Sequence, residues 1–233
     1  EKDPGSIAFD LERARSFADH PYGSDGDGTI ESVTALTRDD IVAAYKGALA
    51  QDRITIGAAG DITPAELGVL LDKLFVGLPA TGAALPGRAE LAVKGGITQQ
   101  DFPGPQSTVI FGQGGMRFDN PDYFAASLLT EILGGSRFNA RLMTEVREKR
   151  GLTYGIGVNL SSYDQAELML GQFEASNENV AEAVDVIKAE WAKIAADGVT
   201  EQELTDAKTY MTGAYPLRFD GNGPIAQVLV GMQ

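Results

Sequence analysis

The sequence predicts an α+β fold in which an antiparallel-rich sheet carries helices on one face. Short β-rich runs are followed by longer segments with helical periodicity, and two such runs in the second half of the chain are separated only by a short turn. A strict strand–helix–strand alternation, which would indicate a parallel sheet, is missing. A Gly-x-Gly-x-x-Gly dinucleotide fingerprint is also missing.

The first elements are helical. Residues 4–18 carry apolar side chains at helical spacing, which predicts a helix. Thr37 is predicted to begin a second helix that runs to about Leu49, because Asp40 three residues later forms a weak capping box. The β-rich run 53–61, RITIGAAGD, is predicted as a short strand.

A stronger start signal follows that run. Thr63, Pro64 and Glu66 supply a cap, a proline in the first turn and an acid at the third position, and the helix is predicted to end near Phe75. Residues 79–97 are rich in Gly, Ala and Pro and show little periodicity. This composition predicts a linker between two parts of the chain.

The second part opens with a predicted strand, STVIFGQ, followed by helices over 121–133 and about 138–149. The runs LTYGIGVNLSSY and AELMLGQFEA then predict two strands joined by a turn at Asp164 and Gln165. A hairpin that is preceded and followed by helices is typical of the α+β class.

Three further helices are predicted after the hairpin. Asn177 is expected to cap a long helix that ends at Gly198. Thr200 and Glu203 form a clear capping box for the next helix, which runs to about Gly213. A last helix begins near 223–224. The chain opens without Met and ends in an apolar run, so both ends are interpreted as cuts in a longer polypeptide.

Composition excludes several classes of function. The net charge of −14 would repel a nucleic-acid backbone. The chain has no cysteine and one histidine, His20, which is too few nitrogen and sulfur ligands for a zinc centre. The acidic run at 25–28, DGDG, lacks the spacing of a calcium loop and is interpreted as a solvated turn. GQGG at 112–115 does not lead directly into a helix, so a phosphate site is not expected there.

The run EVREKRGLTYGIG, residues 145–157, is a charged helix end that meets an extended segment. Gly151 is the expected helix stop, and Tyr154 is expected just inside the following strand. Thr144, Arg147 and Arg150 are spaced to share a helix face, so Arg147 and Tyr154 are candidates to point into one cleft. Their N–H and O–H groups suit the carbonyls of an extended peptide. The spacing alone favours a solvated helix end and a half-buried tyrosine.

A family resemblance adds to this. The run 128–157, LLTEILGGSRFNARLMTEVREKRGLTYGIG, resembles the pitrilysin/insulinase family of zinc metallopeptidases, whose members include mitochondrial processing peptidase. Shorter matches fall in family order along nearly the whole chain, namely HPYG at 20–23, GD at 60–61, LP at 78–79, PQ at 105–106 and ELTDAK at 203–208.

The resemblance implies two homologous α+β domains around a chamber. It assigns residues 1–78 to the rear part of a first domain and 98–233 to a second domain of the inactive, C-terminal type, truncated at its end. In the family the first domain of the active partner carries His-x-x-Glu-His and a downstream Glu as zinc ligands. The second domain supplies an Arg and a Tyr seven residues apart that hold substrate, and these match Arg147 and Tyr154.

The chain departs from the family pattern in having no His-x-x-Glu-His. We therefore expect no cofactor in this chain, with zinc only in a partner or an upstream domain, and no catalysis by this chain alone. His20 matches a family position that is not a zinc ligand.

The expected function is a non-catalytic portion or subunit that binds unfolded peptide and completes the active site of a homologous zinc-bearing partner. The acidic charge favours basic peptides. Two alternatives stay open, namely part of an active peptidase whose zinc motif lies upstream of residue 1, and a structural subunit of a larger complex. Similarity to bacterial members without the motif favours the periplasm, with the cytoplasm and the mitochondrial matrix as alternatives.

Overall fold

The computed structural model describes residues 3–233, which form two compact units. The first unit contains the described part of Glu1–Gly26 together with Pro86–Lys208, and the second contains Asp27–Leu85 and Thr209–Gln233. Each unit thus combines two separate stretches of the chain, whereas each predicted domain is one continuous stretch. The division into two homologous domains, which begins at residue 1 outside the described part, stays a prediction.

The elements are mostly where the sequence patterns place them. The helices are α1 Pro4–Phe17, α2 Ile30–Ala35, α3 Arg38–Ala48, α4 Pro64–Leu74, α5 Tyr123–Gly134, α6 Val180–Asp197, α7 Glu201–Ala214 and α8 Asn222–Gly231. The strands are β1 Gln106–Gly114, β2 Ile156–Tyr163 and β3 Ala166–Ser176. A π-helical turn spans Met143–Glu148, and 3₁₀ turns span Pro21–Gly23, Gln51–Arg53 and Tyr215–Phe219.

The sheet lies in the first unit and has the order β1-β3-β2, with both pairs antiparallel. The predicted hairpin is confirmed, because Tyr163 pairs with Ala166 across the turn at Asp164 and Gln165. Gly112 packs so closely on β3 that an added Cβ would lie 2.6 Å from the Met169 carbonyl oxygen. The glycine there therefore allows the two backbones to pack closely.

Alternate residues of β3 belong to two apolar clusters, one on each face of the sheet. Met169 and Phe173 join the main core, which also contains buried residues of α5, the π-helical turn and α6, namely Leu133, Val146, Ala183 and Ile187. On the other face, Phe17 of α1 packs with Leu168 and Leu170. The α+β class is confirmed, and α1 adds a helix on the face opposite α5 and α6.

Capping residues explain several helix starts. The side-chain oxygens of Thr37 and Thr63 accept the predicted third-position N–H bonds, from Asp40 at the start of α3 and from Glu66 at the start of α4. In each case the carboxylate also accepts from the backbone N–H of the threonine. Both predicted capping boxes are therefore confirmed.

The predicted cap Asn177 is wrong. The N-cap of α6 is Asn179, two residues later. The Asn177 amide instead donates to the Gly104 carbonyl at 2.8 Å and accepts from the Ser107 hydroxyl at 2.8 Å. Its side chain is thereby committed to the segment that leads into β1 and is not free to cap the helix.

The predicted strand at 53–61 is also wrong, since residues 54–59 have no ladder partner in the described chain and form no strand. A strand needs a neighbour for its backbone groups, and glycine and alanine are weak strand formers. Instead this segment packs on α8, where a Cβ on Gly57 would lie 2.3 Å from the Ala226 carbonyl oxygen.

The second unit is mainly helical and has little core of its own. Ala50 is the one residue of this unit that is fully buried among the residues described. Large apolar side chains of its helices and connections remain exposed, including Ile30, Leu74 and Val76. None of the helices described in residues 3–233 is long and apolar enough to cross a membrane.

Candidate functional site

The charged run that contains Arg147 forms a π-helical turn over Met143–Glu148, whereas the sequence predicts a helix over about 138–149. The Lys149 N–H donates to the Thr144 carbonyl at 3.0 Å, which is the i to i+5 pattern of a π-helix. The wide turn lets one carboxylate, that of Glu145, bind both Lys149 at 2.6 Å and Arg150 at 2.8 Å. Two hydrogen bonds lower the pKa of the Glu145 carboxyl below its usual value, and the bond from Lys149 has a larger effect than the bond from Arg150.

The predicted sharing of one face by Thr144, Arg147 and Arg150 assumed an α-helix, whereas the segment is a π-helical turn. That expectation used 3.6 residues per turn, whereas Arg150 folds back onto the carbonyl oxygen and carboxylate of Glu145. Arg147 has a different neighbour, described below. The two arginines therefore have different partners.

Gly151 ends this turn as predicted. It has a φ of 63°, in the left-handed region that glycine adopts without strain. Its N–H donates to the Arg147 carbonyl at 2.8 Å, and the Leu152 N–H donates to the Val146 carbonyl at 3.0 Å. The backbone on both sides of the glycine is thereby fixed.

The guanidinium of Arg147 lies over the ring of Phe138. Its central carbon is 5.1 Å from the ring centroid, within the range of a cation–π contact. Phe138 lies within the family-like run 128–157, but no role is predicted for it from the sequence. The spacing of the two residues in the sequence does not predict this contact. The contact depends on how the turn before the π-helix folds against that helix.

Tyr154 is 89% exposed, so the half-buried packing that its spacing alone favours is not found. It precedes β2 by two residues instead of lying inside the strand. Its neighbour Thr153 is buried, and the Thr153 hydroxyl accepts from the Gly155 N–H at 3.1 Å and lies 2.6 Å from the Glu174 carbonyl oxygen. A fixed backbone therefore presents the phenol to solvent.

A groove of about 570 Å³ lies beside this segment within the first unit. Its lining includes residues of α1, β2 and β3, among them Phe9, Asn159 and Gln172. Ser136 and Gly155, close in sequence to Phe138 and next to Tyr154, also line it. Arg147 and Tyr154 are not among the residues that line the groove. They are close in sequence to residues of its wall but do not form part of the wall.

His20 has a structural role. Its Nδ1 accepts from the Tyr22 N–H at 3.2 Å, and its Nε2 donates to the Gly87 carbonyl at 2.9 Å. Both ring nitrogens are thus engaged by the protein. In residues 3–233 no group of three or more His, Cys, Asp or Glu side chains is arranged to hold a metal ion. The acidic run at 25–28 is an exposed turn.

A second polar connection lies next to the π-helical turn. Arg141 donates through Nε to Glu203 Oε1 at 2.6 Å and through Nη2 to the Gly198 carbonyl at 3.0 Å. Glu203 also accepts from the Thr200 N–H at 2.7 Å, which confirms the predicted capping box. The hydrogen bond from Arg141 is the main cause that lowers the pKa of Glu203 to about 2. Sequence analysis found the box but missed the ion pair.

The chain is similar to known proteins in both sequence and fold. The model of the family described as peptidase M16 inactive domain matches residues 35–211. The crystal structure of a peptidase M16 inactive domain from Pseudomonas fluorescens superposes with a TM-score of 0.88 at 30% identity, covering 99% of this chain and 55% of that one.

Two curated relatives are similar over nearly the whole chain. An uncharacterized zinc protease of Mycobacterium leprae is 28% identical over 91% of this chain and 48% of its own length. A probable mitochondrial-processing peptidase subunit beta of Schizosaccharomyces pombe is 25% identical over 97% of this chain and 52% of its own length. The chain thus spans about half the length of these relatives. Together with the family model, these matches confirm the resemblance found in the sequence.

Proposed function

Because the chain belongs to the peptidase M16 inactive-domain family, we propose that it is a non-catalytic portion or subunit of a pitrilysin-family zinc peptidase. In this proposal it binds unfolded peptide and completes the active site of a homologous partner that carries zinc. The observation that supports it most is Tyr154, an 89% exposed phenol on a backbone that is fixed on both sides.

The anchoring of the backbone around Tyr154 lowers the entropic cost of binding a ligand. Buried Leu152 and Thr153 hold the segment before it, and the Thr153 hydroxyl ties it to the carbonyl of Glu174 in β3. Little backbone freedom is therefore lost when a ligand binds, which preserves affinity. The phenol O–H is placed to donate to a peptide carbonyl or to an oxyanion that develops from it.

Arg147 supplies the second group. No hydrogen bond or ion pair of its guanidinium is found within the described part of the chain, so its N–H donors are open to a ligand. Glu145, in the same turn, is already engaged, since it binds Lys149 and Arg150. A planar guanidinium suits the carbonyl oxygens or the terminal carboxylate of a peptide.

Zinc does not fit this chain's described residues, because both nitrogens of His20 are engaged and no ligand cluster is formed. In the proposal any zinc would be held by the partner, where it would supply Lewis-acid activation of water. The relatives named as zinc protease and processing peptidase subunit are about twice as long as this chain, which supports a second component. The net charge of −14 favours basic peptides by long-range attraction.

Calorimetric titration of the chain with an unfolded basic peptide tests the binding step. We expect wild-type protein to bind, and Arg147→Ala and Tyr154→Phe each to weaken the affinity. The matched controls are Arg38→Ala and Tyr45→Phe, which change an exposed arginine and an exposed tyrosine of the second unit. A chain without peptide affinity would have a structural role, and unchanged affinity in both site variants would overturn the assignment of Arg147 and Tyr154.

A further inference from the structure

We infer that Phe138 is a positioning residue that holds the guanidinium of Arg147 in place for the ligand. The inference deepens the proposed function, since it rests on Arg147 as a peptide-binding group. It is carried by the 5.1 Å distance between the Arg147 guanidinium carbon and the Phe138 ring centroid. The family-like run gives Phe138 no part in binding.

Phe138 is mounted on a fixed turn. The Ala140 N–H donates to the Arg137 carbonyl at 3.1 Å, which closes the turn around Phe138. Ala140 is fully buried in the main core. On the other side, Arg137 pairs with Glu131 of α5 at 3.1 Å, and these two side chains are only 10% and 15% exposed. The ring is therefore presented by a turn that is anchored before and after it.

The ring itself remains 66% exposed although the residues on either side of it are held. Apolar burial does not account for its position. The Arg147 guanidinium lies over its ring, and a cation over an aromatic face is stabilised by the ring quadrupole. Phe138 thus gives the Arg147 guanidinium a support within the same segment of the chain.

This support has a consequence for binding. An arginine side chain has considerable rotamer entropy, part of which is lost whenever it is fixed by a ligand. Stacking on Phe138 restricts the side chain before the ligand arrives, so less is lost on binding. Leucine at this position would keep the apolar bulk but lose the quadrupole, whereas tyrosine would keep the ring.

The test uses Phe138→Leu and Phe138→Tyr with two measurements on the whole chain. Proton NMR of Arg147 should show an upfield ring-current shift of its side-chain signals in wild type and in Phe138→Tyr, and loss of that shift in Phe138→Leu. The affinity for an unfolded basic peptide should fall about two- to fivefold in Phe138→Leu and stay near wild type in Phe138→Tyr, as expected for a cation–π contact of about 0.5–1 kcal/mol. In an Arg147→Ala background, Phe138→Leu should cause no further loss.

Unchanged Arg147 signals in Phe138→Leu would overturn the inference. An equal loss of affinity in the Arg147→Ala background would also overturn it, because the ring would then act on the peptide directly. If wild-type protein has no peptide affinity, the proposed function fails, while loss of the ring-current shift in Phe138→Leu still supports Phe138 as the residue that positions Arg147.

Discussion

Arg141 and Glu203 form a two-point ion pair, with Nε to Oε1 at 2.6 Å and Nη2 to Oε2 at 2.8 Å. The pair joins the helical segment that leads into the π-turn to the first turn of α7, 62 positions later in the chain. Both side chains are largely buried, at 13% and 28% exposure. The pair therefore fixes the base of the candidate site to a helix that is distant in sequence.

The first prediction follows from this pair. The pKa of Glu203 is lowered from 4.5 to about 2 in the folded chain, so its contribution to stability is fully present above pH 4.5 and is lost as the pH falls towards 2. Solvent near the pair reduces that contribution to about 1–2 kcal/mol. We expect Glu203→Gln to lower the free energy of unfolding by this amount at pH 7, measured in urea.

The difference between wild type and Glu203→Gln should shrink as the pH falls from 4.5 to 2. Glu201→Gln, in the same first turn of α7 but exposed, is the matched control and should lower stability by no more than about 0.5 kcal/mol, the helix-dipole contribution. Parallel stability curves for wild type and Glu203→Gln across that pH range would show that the pair is not the cause.

The second prediction compares two glycines. Gly151 has a φ of 63°, so Gly151→Ala should lower the free energy of unfolding by about 1–2 kcal/mol. Gly68 lies inside α4 with open space around it, so Gly68→Ala should raise stability by about 0.5–1 kcal/mol. Chemical denaturation of both variants checks this, and two changes of the same sign would contradict it.

The third prediction concerns the anchor of Tyr154. Thr153→Val keeps the shape of the side chain but removes the hydroxyl, leaving the Gly155 N–H and the Glu174 carbonyl without that partner. We expect a loss of about 1–2 kcal/mol in unfolding free energy, together with weaker peptide binding. Thr153→Ser keeps the hydroxyl and should retain most of the stability and the affinity. Equal losses in both variants would point to packing of the methyl group instead.

The sequence predicted what depends on local signals. The capping boxes at Thr37, Thr63 and Thr200, the hairpin turn and the stop at Gly151 all rest on bonds between residues close in the chain. These interactions need only residues close in the chain, so residue types can identify them. The predicted cap Asn177 failed because its side chain binds the distant Gly104 and Ser107 instead.

What the sequence could not provide depends on partners distant along the chain. Residues 53–61 have strand composition, but a strand also needs a neighbour, and none pairs with them in the described chain. The π-turn at 143–148 differs from an α-helix by a shift in hydrogen bonding that periodicity does not reveal. The Phe138–Arg147 contact and the Arg141–Glu203 pair need the folded structure to bring the partners together. The substrate roles of Arg147 and Tyr154 stay predictions.

The central claim is that Arg147 and Tyr154 grip peptide for a zinc-bearing partner. Its most direct test is kcat/KM for cleavage of an unfolded basic peptide by a homologous zinc-bearing peptidase mixed with this protein. We expect the protein to raise the rate, and Arg147→Ala and Tyr154→Phe each to lower kcat/KM by about 10²–10³, as for the loss of a donor to a developing oxyanion. Rates that equal wild type in both variants would contradict the account.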